Sequence, residues 1–105
     1  MKRYYHITTN TSAKDIIADA NISVYDTGVI ITRLYVNPSY RKLGYGSHVL
    51  NEIMKDADTD KLILWATPNS FTVPREKIIK WYEKHGFIYD EEHKMMKRNA
   101  NNIQK

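Results

Sequence analysis

The chain has 105 residues, 42% of them apolar and 11% aromatic, the length and composition of one globular domain rather than a disordered chain. It contains no cysteine, which excludes disulfides, thiolate metal sites and transfer through an acyl-cysteine. The net charge of +4 favours phosphorylated ligands and acidic surfaces, but no nucleic-acid-binding signature accompanies it, so nucleic acid is not an expected partner. The apolar runs are too short to cross a bilayer and no secretory leader opens the sequence, so a soluble, cytoplasmic protein without a membrane partner is expected.

Residues 2–8 are Tyr-rich and predict a strand. Ser12 followed by Asp15 has the form of a capping box, predicting a short helix to about Asp19. Asn21 to Tyr25 and Val29 to Val36 predict two strands joined by the turn Asp26-Thr27-Gly28, and Asn37-Pro38 ends the second. A helix opens at Gly46 or Ser47, with Val49, Leu50, Ile53, Met54 and Ala57 on one apolar stripe. Leu62 to Ala66 is an apolar run expected to be a strand buried on both faces. After a loop over 67–73, Pro74 starts a helix with Ile78, Ile79 and Tyr82 inward, and Gly86 caps it. Residues 87–89 and 94–98 predict two final strands. The resulting order is β-α-β-β-α-β-α-β-β in a single domain over 1–98, with a polar, frayed tail over 99–105.

Gly44 and Gly46 stand between a strand and a helix N-terminus. Glycine admits backbone angles closed to other residues and lets a ligand approach the main chain. The first helical turn has unpaired N–H groups and a partial positive charge, which together suit a phosphate. Two glycines alone are also compatible with a plain tight turn. The stretch is neither a Walker loop nor a dinucleotide fingerprint, because G-K-[ST] and the third glycine are missing.

The whole segment Leu34-Tyr35-Val36-Asn37-Pro38-Ser39-Tyr40-Arg41-Lys42-Leu43-Gly44-Tyr45-Gly46 resembles the acetyl-CoA signature of the GCN5-related N-acetyltransferase (GNAT) family. Downstream, Trp81-Tyr82-Glu83-Lys84-His85-Gly86-Phe87 resembles the family segment that closes the last helix. The resemblance implies an α+β fold of the three-layer α/β type: a mixed, mostly antiparallel sheet with flanking helices, a central βαβ cofactor unit and, here, a shortened N-terminal part. It implies acetyl-CoA as cofactor, with the pantetheine arm in a cleft between two splayed strands. On this pattern Leu34, Tyr35 and Val36 supply the cleft edge and an N–H for the thioester carbonyl. Arg41, Lys42, Leu43, Gly44, Tyr45, Gly46 and Ser47 turn their amides to the diphosphate. Asn69 is the nearest match to a family Asn beside the cofactor, although the residues after it break the spacing and a turn role beside Pro68 is equally open. A looser resemblance links the compact pattern to small phage anti-CRISPR acetyltransferases.

The same resemblance places Tyr82 near the sulfur, as proton donor to the departing thiolate. Its place on the Ile78 stripe also fits a core residue, and a Tyr can be both. No carboxylate occupies the strand before the phosphate loop, where the family often has its base. Asp26, His48 and His85 remain as candidates, beside a water chain to solvent. The histidines share no metal-ligand spacing, so no metal is expected. Lys84 is a candidate contact to the cofactor's 3′-phosphate or a solvated side chain, and Trp65 and Trp81 read as packing residues. The shortened N-terminal part predicts an acceptor site that is open or completed by a second subunit in a homodimer. An open site favours a protein or peptide lysine as acceptor. A small amine, or a degenerate binding module, are the alternatives.

Overall fold

The computed structural model describes residues 1–10, 15–26, 28–68 and 73–100. Six strands form one sheet in the order β1-β2-β3-β4-β6-β5: β1 Tyr4–Thr8, β2 Ile16–Tyr25, β3 Gly28–Val36, β4 Leu64–Ala66, β5 Ile88–Asp90 and β6 Met95–Arg98. Two helices, α1 Tyr45–Asp60 and α2 Arg75–Lys84, follow β3 and β4. Only β3 and β4 pair in parallel; every other neighbouring pair is antiparallel. None of the helices among the described residues is long and apolar enough to cross a membrane.

The helix expected to reach Asp19 is not there. Ile16 to Ala20 belong to a ten-residue strand that pairs with β1 on one edge and β3 on the other. Pairing on both edges outweighs the weak strand preference of Ala and Asp and a capping signal that acts only locally. Ser12 lies outside the described residues. Asp15 instead closes the β1–β2 connection: its N–H donates to Thr9 Oγ1 and its carbonyl accepts from Thr9 N–H.

The other elements follow the expected pattern within a residue or two. Val49, Leu50, Ile53 and Ala57 of α1 are buried. Lys61 ends that helix in the left-handed conformation, with Leu62 N–H bonded to Ala57 O, so β4 starts later than the apolar run suggests. Leu64 and Ala66 are fully buried but Trp65 is only half-buried. The strand is therefore covered on one face, not two. Ala100, expected in the frayed tail, is buried; residues 101–105 lie outside the described residues.

This one-sided cover has a topological cause. The steps β3-α1-β4 and β4-α2-β5 both move across the sheet in the same direction, and such crossovers are right-handed. Both helices therefore fall on the same face. Their contacts agree: Trp81 of α2 lies next to Gly46 of α1, and His85 at the end of α2 bonds Ser47 of α1. Arg98 of β6 reaches Asp58 of α1 through two parallel bonds of 2.9 and 3.0 Å. The opposite face carries Tyr4, His6, Asp19, Tyr25, Arg33, Tyr35 and Trp65; among the described residues no helix covers it, although Asp19 at its centre is buried.

Gly28 sits where β3 begins, at φ +148. A Cβ there would lie 2.7 Å from Ile63 O, in the segment where Val29 N–H bonds the same carbonyl. Gly28→Ala is expected to cost about 2 kcal/mol from strain and displacement, lowering Tm by roughly 10 °C for a domain of this size. A thermal melt unchanged within a degree or two would show that the hairpin absorbs the side chain.

Candidate active site

The cleft is made by a change of parity in β3. The register passes from Ile22↔Ile31 to Asn21↔Arg33, leaving Thr32 as an extra residue, a bulge. Before it, Val29 N–H donates across to Ile63 O on the β4 side. After it, Asn37 N–H donates to Ile17 O on the β2 side, while the Val36 carbonyl on the other edge accepts from Arg41 Nε at 3.1 Å. Polar groups alternate between the edges of a strand, so Leu34 and Val36 turn N–H and C=O toward β4. Yet β4 pairs only with Val29, Ile30 and Ile31. Beyond them the two strands separate, and these backbone groups, apart from the Val36 carbonyl that Arg41 holds, face a gap.

That gap is a cavity of about 450 Å³ whose walls include Thr32, Leu34, Val36, Gly46, Trp81 and Tyr82. Gly46 brings α1 close to the strand: a Cβ there would lie 3.2 Å from Val36 Cγ2 and 3.6 Å from Trp81 Cζ2. Gly44 is the N-cap, at φ +87, and a Cβ on it would meet nothing within 4 Å. The first helical bond runs from His48 N–H to Gly44 O. The amides of Tyr45, Gly46 and Ser47 thus precede the ladder, with no capping side chain and no acidic residue in the first turn. This end of the helix is an open, electropositive cradle.

Tyr82 forms the far wall. It is 4% exposed, with its ring against Trp81 and Phe87. Burial pushes its phenol up to about 12, so the hydroxyl keeps its proton across the neutral and mildly alkaline range. His85 clamps α2 to the cradle: Nδ1 lies 2.8 Å from Trp81 O and Nε2 3.1 Å from Ser47 Oγ. A carbonyl only accepts, so Nδ1 carries a proton.

Other anticipated residues are placed elsewhere. Tyr35 turns its ring to the uncovered face, beneath the Arg33 guanidinium at 5.0 Å, leaving its backbone alone beside the cleft edge. Arg41 lines the cavity, whereas Lys42 and Leu43 are exposed loop residues. Asn69 lies outside the described residues. Of the candidate bases, Asp26 is in the exposed β2–β3 turn, His48 lines a separate cavity beside β1, and His85 is occupied as a clamp. Asp90, Glu92 and His93 gather their ligand-type atoms within 4.8 Å of one another. That cluster is the β5–β6 turn itself, where His93 N–H bonds Asp90 Oδ1 and holds that carboxyl below its usual range. Sequence reasoning missed Arg33 and Ile78 as cavity walls; the bulge that re-aims the strand at Thr32 leaves no local sequence signal.

A parallel strand pair splayed beside a glycine-capped helix, with a buried phenol opposite, fits an acetyl-CoA-dependent N-acetyltransferase. The chain belongs to the GNAT acetyltransferase family: the family described as acetyltransferase (GNAT) domain matches residues 3–89, and acetyl-CoA is the family's cofactor. No curated protein matches the chain. Among solved structures, AtaTR bound with AcCoA is 18% identical at a TM-score of 0.72, covering 96% of this chain and 69% of its own. AtaT complexed with acetyl-methionyl-tRNAfMet is 16% identical at a TM-score of 0.75, covering 96% and 72%. The anti-CRISPR protein AcrVA5 is 18% identical at a TM-score of 0.69, covering 91% of this chain and 98% of its own. At these identities the likeness is one of fold.

Proposed function

We propose that this enzyme transfers the acetyl group directly from acetyl-CoA to an amine on a protein or peptide, a lysine above all. The carrying observation is the unpaired edge of β3, which opens on one side to the helix cradle and on the other to an uncovered sheet face. On this reading the amides of Tyr45, Gly46 and Ser47 hold the diphosphate, with the loop from Arg41 around it. Leu34 and Val36 hold the pantetheine arm as an added strand. The cofactor supplies the activated thioester. The N–H of Leu34 stabilises charge growing on its oxygen, and Tyr82 gives its proton to the leaving sulfur. An acceptor reaching the cleft from the uncovered face meets no helix among the described residues, so a macromolecular surface can approach. The near-complete overlap with AcrVA5, a protein of similar extent, supports an anti-CRISPR-type modifier of a partner protein.

Initial-rate kinetics should give intersecting lines, since the chain has no cysteine to carry the acetyl group. Intact mass after incubation with acetyl-CoA alone should show no rapidly formed acetyl-enzyme. Parallel lines together with such a species would overturn direct transfer. Acceptors are read by mass spectrometry of protein, peptide, polyamine and aminoacyl-tRNA panels. The last is included because AtaT is seen with acetyl-methionyl-tRNAfMet. Turnover of a polyamine or of aminoacyl-tRNA, with no protein or peptide acetylated, would overturn the lysine reading.

A further inference from the structure

Asp19 stands in the middle of β2 on the uncovered face, yet it is only 5% exposed. Its Oδ2 accepts from Tyr4 Oη at 2.8 Å. Its Oδ1 is buried and has no hydrogen-bond partner among the described residues. Arg33 Nη2 lies 3.5 Å away as an ion pair, without the geometry of a hydrogen bond. The arginine side chain is half-exposed, at 51%, and rests on the Tyr35 ring. Tyr4 in turn stacks on His6, with ring centroids 5.1 Å apart. A carboxylate oxygen without its hydrogen bond therefore stands beside the Arg33 cation, with the Tyr4 hydroxyl on its sister oxygen and His6 and Tyr35 as its cross-strand partners on either side. Aromatic rings around a carboxylate are the surroundings that an alkylammonium prefers.

The position is as telling as the chemistry. Asp19 is the cross-strand partner of Tyr35, the residue between Leu34 and Val36, whose backbone groups face the gap. Partners across such a pair stand about 5 Å apart. The carboxylate thus lies one strand away from the reacting edge, on the face from which an acceptor arrives.

We propose that Asp19 is the acceptor-amine site: it binds the ammonium of the acceptor in place of Arg33 and takes its proton. This rests on the acetyl-transfer reading of the cleft and supplies the base that β3 itself lacks. The ammonium gives one proton to Asp19 and attacks as a free amine. A C–N bond forms to the acetyl carbon and the C–S bond breaks. The sulfur takes the phenol proton of Tyr82, and the nitrogen's surplus proton restores that phenol. Asp19 then releases its proton to solvent. Among the described residues, the groups facing Asp19 that titrate or carry charge are Tyr4 and His6 from β1 and Arg33 and Tyr35 from β3; α1 and α2 lie across the sheet.

The test uses Nα-acetyl-lysine amide and its uncharged counterpart, Nα-acetyl-norleucine amide, with the full chain. Calorimetry should show the lysine amide binding and the norleucine amide not. Asp19→Asn should remove that difference and leave acetyl-CoA affinity unchanged. Its kcat/KM toward the lysine amide should fall on the order of 10²-fold near neutral pH and recover steadily as pH rises toward the free amine's own pKa, about 10.4. Arg33→Met, on an exposed side chain, removes the competing cation without touching Asp19. It should tighten lysine-amide binding, and it keeps the test decisive if Asp19→Asn folds poorly. Equal binding of the two amides, an Asp19→Asn rate within twofold of wild type, a deficit that is constant with pH, or weaker binding in Arg33→Met would each overturn the proposal. Failure of the protein-lysine reading looks different: no protein or peptide is acetylated while the two amides still bind unequally.

Discussion

Gly44→Val is expected to abolish measurable acetyl-CoA binding while the circular dichroism spectrum stays that of the folded protein. Two effects combine. Gly44 is held at φ +87, where a side chain costs about 1–2 kcal/mol. That strain alone would weaken the helix cap without emptying the site. The larger effect is occupancy. No atom lies within 4 Å of a Cβ there, so the free protein leaves room beside Gly44, and the new side chain would occupy the space assigned to the diphosphate. Displaced phosphate oxygens also leave the first-turn amides and the favourable end of the helix dipole. A loss of at least about 10²-fold in affinity, about 2.7 kcal/mol, should be read by calorimetry. Gly44→Ala carries the same backbone strain with fewer atoms in the way, and should fall between the two. An unchanged Kd in the valine variant would count decisively against the cradle.

Tyr82→Phe should lower kcat on the order of 10²-fold with acetyl-CoA affinity and Tm nearly unchanged. The ring packs against Trp81 and Phe87 and phenylalanine preserves both contacts, so a stability loss cannot account for the expected change. The pH dependence gives a second reading. The phenol ionises near 10 in the unfolded chain and at about 12 when buried in the fold. Its contribution to stability is therefore complete below pH 10 and declines as pH rises toward 12. The phenylalanine variant should lack that part of the alkaline decline. Unaltered kcat would leave Tyr82 as a packing residue and require another donor for the sulfur.

Much of this architecture could be read from local signals. The stripe of α1, the glycine loop and the closing segment of α2 each have a sequence period or a backbone requirement that acts within a few residues. β2 did not read correctly, because its strand character comes from partners on both edges that are distant in sequence. The same misreading hid Asp19: on a helix an aspartate is unremarkable, whereas in the centre of a sheet it demands an explanation. The parity change at Thr32 was likewise illegible, since a bulge is defined by its partner's register. Leu34 and Val36 lay on the anticipated edge, but which of their neighbours face the cleft depends on that bulge. The ring of Tyr35, anticipated with them, points the other way.

The order of the sheet also bears on how the chain is made. β6 lies between β4 and β5, so neither of those strands completes its pairing until the last strand has been synthesised. Until Met95–Arg98 leaves the ribosome, β4 has an open edge and α2 rests on an incomplete sheet. The β1–β2–β3 meander, built from neighbours in sequence, can form far earlier, because local contacts close at less entropic cost than distant ones. The enzyme is thus divided in time: the strand edge proposed for the pantetheine arm can take shape first, while the wall bearing Tyr82 is fixed only once β6 has emerged.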